Sequence, residues 1–289
     1  MGFPRIVCPD SEAVLQGFTG RAVALRVKGW DRIASGVELV RRSGNLLFGV
    51  IVESDRPLAD MEFDDRHQGA PLAVMAPSLG RFRDLARHLH WLTTLNRRVY
   101  LPCGHPENLT SLRILSSLGI TCGADFRDGN ADWESLADLA TYALLERAPH
   151  AAIEPFAFIA ANYPACRHLD WGRVFFDDPR HFLHLDACGR VALSRADLAQ
   201  NRFAAQSLDE IEVPAEFGPI RDRLRAWQDF FIDSHACASC AGWRICLGKF
   251  SGDRAANAGC AEFFTEMIDL VHRHTNAPVV PEERRLWQP

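Results

Sequence analysis

The apolar positions of this chain fall into short runs that alternate with longer stretches of helical spacing. The run 'AVALRV' (22–27) reads as a strand, and 'WDRIASGVELVRRS' (30–43) as a helix with Ile33, Val37 and Val40 on one face. Two more apolar runs, 'NLLFGVIV' (45–52) and 'PLAVMA' (71–76), read as strands. The stretch 'LGRFRDLARHLHWLTTLN' (79–96) spaces Phe82, Leu85, Leu89 and Leu92 as the buried stripe of one long helix. The next units are more regular. Strand 'VYLPCG' (99–104) leads to a helix capped by Asn108 and stopped at Gly119. Strand 'ITCGADF' (120–126) leads to a helix capped by Asp132, and 'AIEPFAFIAA' (152–161) reads as one more strand.

Alternating strands and helices with short loops imply a parallel sheet joined by right-handed crossovers. Five or six such units fall short of a closed eight-fold barrel, and no Gly-rich turn follows the early strand as a doubly wound nucleotide fold would need. The predicted class is therefore α/β, a partial (open) β/α barrel over residues 1–170. The pattern then changes. The segments 'RVFFDD' (173–178) and 'HFLHLDACGRVALS' (181–194) read as short antiparallel strands, the second turning at Cys188 and Gly189. Helices are predicted from Ala196, over 219–236 and over 260–274, so that 171–275 forms a small cysteine-rich α+β domain. Residues 276–289 read as an extended tail, with Leu286 and Trp287 as its apolar anchors.

Composition narrows the function classes. The chain has 289 residues, 47% of them hydrophobic and 24% charged, which is globular rather than disordered. A formal net charge of −5 argues against a nucleic-acid partner, since phosphate binding needs clustered Lys and Arg. No apolar run approaches the roughly 18 to 20 residues that cross a bilayer, so no membrane association is expected. The N-terminus lacks a basic stretch followed by an apolar core, and the expected location is cytoplasmic. In that compartment nine cysteines are not expected to be a disulfide framework, and clustered ones more often bind metal.

Four of them carry the strongest signal. Cys237, Cys240, Cys246 and Cys260 follow the spacing C-x2-C-x5-C-x13-C within 'HACASCAGWRICLGKF' and the 'GCAEFF' that opens the last helix. A C-x2-C pair lets two sulfurs bind one centre from a single turn, and the more distant pair closes the tetrahedron. Such a set suits an iron–sulfur cluster, with zinc as the alternative. Zinc sites more often use two C-x2-C knuckles, and here the second half has none.

'CASCAGWRICLGKF' resembles the signature of the SPASM domain, the auxiliary-cluster module of many radical SAM enzymes. The hairpin element 'GRVALS' ahead of it and Cys260 at the start of the final helix resemble the same module. The resemblance is carried by motifs over 180–270 and only by the β/α pattern before that. It implies one [4Fe–4S] cluster on Cys237, Cys240, Cys246 and Cys260. The family's second, inner cluster takes a hairpin cysteine and one just after the Gly turn. Those positions are Ser194 and Phe250 here, so that cluster is expected to be absent, with Cys188 offset in the same hairpin. Radical SAM catalysis also needs C-x3-C-x2-C, and the sequence contains no such triplet: Cys8, Cys103, Cys122 and Cys166 each stand alone. No cleavage of S-adenosylmethionine is expected.

Other residues are weaker candidates. Cys103 and His105 sit just past a strand end, and Asp125 and Glu154 lie in or beside strands, so these four are the candidate catalytic group of a non-radical enzyme. His235, two residues before Cys237, is placed to tune a centre or to end a helix. The resemblance implies an accessory or scaffold protein that pairs with a catalytic protein, such as a radical SAM enzyme, or presents a peptide substrate for modification. An enzyme working at the barrel mouth and an electron carrier remain the alternatives.

Overall fold

The aliphatic runs become strands. In the computed structural model, which describes residues 3–62, 70–93, 97–126, 131–163, 169–233, 235–251 and 259–276, these are β1 (Arg5–Pro9), β2 (Ala22–Lys28), β3 (Leu46–Glu53), β4 (Leu72–Met75), β5 (Arg97–Pro102), β6 (Cys122–Asp125), β7 (Ile153–Glu154), β8 (Phe182–Leu185) and β9 (Val191–Ala192). Between the early strands lie α1 (Glu12–Gln16), α2 (Arg32–Arg42), α3 (Phe82–Leu85), α4 (Leu89–Thr93), α5 (Pro106–Ser117) and α6 (Trp133–Leu145). After β7 come α7 (Phe156–Asn162), α8 (Arg195–Ala199), α9 (Gly218–Arg225), α10 (Asp229–Ile232), α11 (Trp243–Cys246) and α12 (Cys260–Asn276).

All nine strands form one sheet in the order β7-β6-β5-β4-β3-β2-β1-β8-β9. Every pairing is parallel except β8 with β9. The fold is therefore α/β with a mostly parallel sheet whose first seven strands lie in sequence order. It has eight parallel strands where the pattern suggests five or six units. The additional ones are β1, five residues whose 'IVC' centre is buried but too short to give a period, and β8, which forms the expected antiparallel hairpin with β9 and also lies parallel beside β1.

Parallel sheets need cover on both faces. Helices supply one side. Gly36 of α2 lies so close to β2 that a Cβ there would sit 2.5 Å from Leu25 Cδ2, and the Cys122 thiol donates to the Leu112 carbonyl of α5 at 3.3 Å. The other side is covered by residues 169–176. The Tyr100 hydroxyl donates to the Val174 carbonyl at 2.8 Å, and the Tyr100 ring lies 5.5 Å from Phe175. Gly123 keeps this contact possible, since a Cβ there would lie 2.8 Å from Tyr100 Cε1.

Several predicted elements change form. No strand forms over 173–178: 173–175 end a 3-10 turn over Trp171–Phe175, started by Asp170 accepting from the Gly172 N–H at 3.0 Å. The predicted strand over 152–161 is two residues of β7 and then α7, because Pro155 cannot donate to a ladder and the Glu154 carboxylate accepts from the Phe158 N–H at 3.1 Å. The long helix expected over 79–96 is α3, a 3-10 turn and α4, with Phe82 46% exposed and outside the stripe. The one expected over 219–236 likewise breaks into α9, a 3-10 turn and α10. Asn108 does not cap α5; it is buried inside the helix, and its amide donates to the Pro77 and Pro102 carbonyls, both at 3.0 Å. Asp132 does cap α6, accepting from the Ser135 N–H at 3.0 Å, and Gly119 ends α5 with φ +81°. The predicted tail falls almost entirely outside the described residues.

The tight fit under Tyr100 gives a measurable consequence. Gly123→Ala should lower the unfolding free energy by about 1–3 kcal/mol, the cost of overpacking a filled site. Chemical denaturation of the variant beside the parent chain checks it.

Candidate functional site

The four motif cysteines come from three elements. Cys237 lies in a 3-10 turn over Ala236–Ser239 that Cys240 ends, Cys246 closes α11, and Cys260 opens α12. Two backbone features let these elements meet. Gly242 packs so closely on α12 that a Cβ would lie 2.5 Å from Phe264 Cβ. Leu247 and Gly248 turn the chain with positive φ directly after Cys246.

The thiols act on one another. Burial pushes the Cys246 thiol up to about 11, against the Phe250 N–H, with the Cys260 thiol adding to the rise and the Gly248 and Lys249 N–H groups opposing it. Cys260 is also raised, first by burial and then by the neighbouring Cys240 and Cys237 sulfurs, while the N–H groups of Ala261 and Cys260 itself oppose the shift. Backbone N–H groups thus oppose the rise at two of the four sulfurs without overcoming it, so both groups are held as neutral thiols. Among the described residues, no group of three or more His, Cys, Asp or Glu side chains is drawn close enough to hold a metal ion as the side chains stand. Four thiols are the donor type that a thiolate-ligated centre takes, but their placement here does not make one.

The cysteine loop is fastened to the segment that covers the sheet. Trp171 Nε1 donates to the Ile245 carbonyl at 2.9 Å, the Leu169 N–H donates to the Arg244 carbonyl at 2.8 Å, and Lys249 pairs with Asp170 at 2.7 Å. Although burial opposes it, the Lys249 ammonium holds the Asp170 carboxyl below its ordinary value. His235 Nδ1 accepts from the Cys237 N–H at 3.1 Å, so the imidazole caps the 3-10 turn.

The two positions that the family resemblance assigns to an inner cluster have other roles here. Ser194 caps α8, its hydroxyl accepting from the Asp197 N–H at 3.1 Å. Phe250 lies in an aromatic cluster with Trp133 (5.0 Å), Phe126 (5.6 Å) and Phe264 (5.8 Å). Cys188 is exposed in the β8–β9 turn, where its N–H donates to Asp186 at 2.9 Å. Cys166 lies outside the described residues.

The four weaker candidates do not converge. Cys103 is buried and its backbone spans two elements, the N–H donating to the Asp125 carbonyl at 2.9 Å and the carbonyl accepting from the Asp132 N–H at 3.1 Å. His105 is exposed and precedes α5 without capping it through its side chain. Asp125 and Glu154 do share a face with Tyr100 and Arg98, under the 169–176 segment. Glu154 stands 3.6 Å from Arg98; burial raises its carboxyl, and Arg98 and the Phe158 N–H oppose the rise. This is a sealed ionic group rather than an accessible acid–base pair.

The sequence reading missed a cavity of about 820 Å³ where β2 and β3 end, lined by residues including Lys28, Trp30, Glu53, Arg56 and Asp60. Arg195 of α8 pairs with Glu53 of this lining; its guanidinium is lowered to about 10 by burial and then by the charge of Arg26. The strands 22–27 and 45–52 were legible, so their C-terminal loops were available as a signal.

Comparison with known proteins returns nothing: no family model, no curated protein and no solved structure matches the chain. No helix among the described residues is long and apolar enough to cross a membrane.

Two outcomes follow for the thiols. With native protein near pH 8, alkylation should reach exposed Cys188 first and leave Cys8, Cys103 and Cys122 unmodified until unfolding, as read by peptide mass mapping. Burial pushes the Cys8 thiol up to about 12 from 9.0, against the charge of Arg26. A raised folded value means that its contribution is intact below pH 9 and lost as pH rises towards 12. The slope from this group is at most about 1.4 kcal/mol per pH unit. Cys8→Ala should therefore lose stability less steeply than the parent over that window in matched denaturation series.

Proposed function

We propose that this chain is an accessory protein built around one thiolate-ligated centre on Cys237, Cys240, Cys246 and Cys260. A [4Fe–4S] cluster is the first choice of centre and zinc the second. In this reading the sheet is an open β/α barrel resembling a radical SAM core, and the region from about 171 to 275 is a SPASM-like domain. The chain pairs with a catalytic protein, or presents a peptide substrate to it, and does not itself cleave S-adenosylmethionine, for which the sequence has no C-x3-C-x2-C triplet.

What supports this reading is the C-x2-C-x5-C-x13-C spacing, together with the electrostatic influence of Cys237 and Cys240 on Cys260 and of Cys260 on Cys246. A cluster with four cysteine ligands supplies one-electron transfer or bracing, and offers no open iron to a substrate. The chain's own contribution is to place the sulfurs, surround two of them with backbone N–H donors and anchor the loop through Trp171, Leu169 and Asp170. Electron transfer to a partner is the redox version of the same role. The cavity at the ends of β2 and β3 favours a second reading, an enzyme with a small-molecule site there. That site would use Glu53 and Lys28 rather than Cys103 or His105.

Purification without oxygen, followed by iron and sulfide analysis and reduced-state EPR, tests the first reading. About four irons and four sulfides per chain are expected, lost in Cys240→Ala. Zinc near one per chain with no iron would replace the cluster by a structural ion. Nearer eight irons would overturn the single-centre reading.

A further inference from the structure

Three segments meet at the end of the sheet where β1 and β8 begin, opposite the end where the cavity opens. The Arg5 N–H donates to the His181 carbonyl at 2.8 Å, and the His181 and Phe182 N–H groups both donate to the Asp178 carbonyl at 2.9 Å. Phe176, which ends the turn carrying Arg173, lays its ring 5.3 Å from Phe182. Arg5, Arg173, Arg180 and His181 are thereby neighbours, in a chain whose net charge is −5.

One carboxylate serves the whole group. Asp178 is fully buried, takes the Arg180 guanidinium on both oxygens at 2.7 to 3.1 Å, and stands 3.9 Å from His181 Nε2. The nearby carboxylates are committed elsewhere. Asp170 pairs with Lys249 at 2.7 Å, and Asp177 accepts from the Arg195 N–H at 2.8 Å and faces His184 Nε2 at 3.3 Å. Arg5 is held over the Phe48 ring at 4.2 Å, with Phe182 5.6 Å away. Arg173 Nε is buried with no hydrogen-bond partner. Among the described residues no carboxylate pairs with Arg5 or Arg173.

Like charges gathered with so little compensation repel one another. Burial lowers the Arg5 guanidinium, and Arg173 adds to the fall. Burial also lowers Arg173, with Asp178 opposing and Arg180 adding. The His181 imidazole is lowered by burial, against Asp178, and further by Arg173, Arg180 and Arg5. All four side chains are only partly buried, so a small ion has access to them. An anion among them would offset the repulsion and give the Arg173 Nε–H an acceptor.

We propose that Arg5, Arg173, Arg180 and His181 form a binding site for a phosphate group, either the free ion or one carried by a small organic molecule. Three guanidinium groups against the single Asp178 carboxylate leave two positive charges. They match the charge of about −1.5 to −2 that a phosphate group carries near pH 7, and exceed that of a monocarboxylate. A planar guanidinium also meets two phosphate oxygens at once. The site depends on neither the cysteine centre nor the strand-end cavity.

Isothermal titration calorimetry of the full chain, at fixed ionic strength in chloride, tests this with inorganic phosphate and phenyl phosphate as probes. Saturable binding is expected, weakened about tenfold or more in Arg173→Gln. Tighter binding of phenyl phosphate identifies an organic phosphate as the ligand, and binding no tighter than that of the inorganic ion identifies the free ion; both support the site. Arg42→Gln, whose exposed guanidinium pairs with Glu38 on α2, should bind as the parent does. Circular dichroism checks that each variant is folded. Should Arg173→Gln not fold, Arg5→Gln is read in its place. Absence of saturable binding to the parent overturns the proposal, and so does acetate binding as tightly as phosphate. A folded Arg173→Gln or Arg5→Gln that keeps the parent's affinity overturns it as well, as does an equal loss in Arg42→Gln.

Discussion

The sheet and the cysteine loop both depend on the cover that residues 169–176 place over the sheet's second face. A parallel sheet has two apolar faces, and the crossover helices fill only one. On the other, the Tyr100 hydroxyl donates to Val174 while Trp171 and Phe175 bring their rings to Phe126 and Tyr100. The same segment holds the cysteine loop from behind through the Trp171 indole, the Leu169 amide and the Asp170 carboxylate. The cysteine-rich half is consequently part of the sheet's packing. β8, which pairs directly with β1, ties the two halves a second time.

Burial sorts the charged groups into two kinds. Arg98, Tyr100, Asp125 and Glu154 share the covered face, where the 3.6 Å Arg98–Glu154 pair offsets part of the cost of taking both charges out of water. Groups sealed in this way can hold strands in register, but they have no path to a substrate. Lys28 and Glu53 end β2 and β3, where a cavity opens, and Arg195 pairs with Glu53 there. The strand-end principle therefore points to a real opening, one displaced towards β2 and β3 from the residues that the sequence made conspicuous.

The cysteine loop was the most legible part of the chain because spacing along the backbone is enough to bring Cys237 and Cys240 to one turn. The approach of Cys246 to Cys260 is a matter of tertiary packing. It relies on Gly242 lying against Phe264 and on the positive-φ turn at Leu247 and Gly248, and neither can be read from a spacing. Trp133 gave no sequence signal as a neighbour of Gly259, since more than a hundred positions separate the two. Only the packing of α6 along α12 places its indole beside Gly259.

Local chemistry by itself determined the α/β class, the strands from β2 to β6, the Asp132 cap, the stop at Gly119 and the four-cysteine motif. Each depends on interactions within a few residues, where periodicity, capping and backbone freedom act directly. Tertiary structure alone decided the remainder. It made β1 and β8 members of the sheet, broke the expected helices at 79–96 and 219–236, and replaced the strand predicted over 173–178 with the end of a covering turn over 171–175. It also buried Glu154 and Asp125 while leaving His105 in solvent. The physical reason is the same throughout: which face a residue presents, and what covers it, depends on segments far away in the chain. No local pattern carries that information.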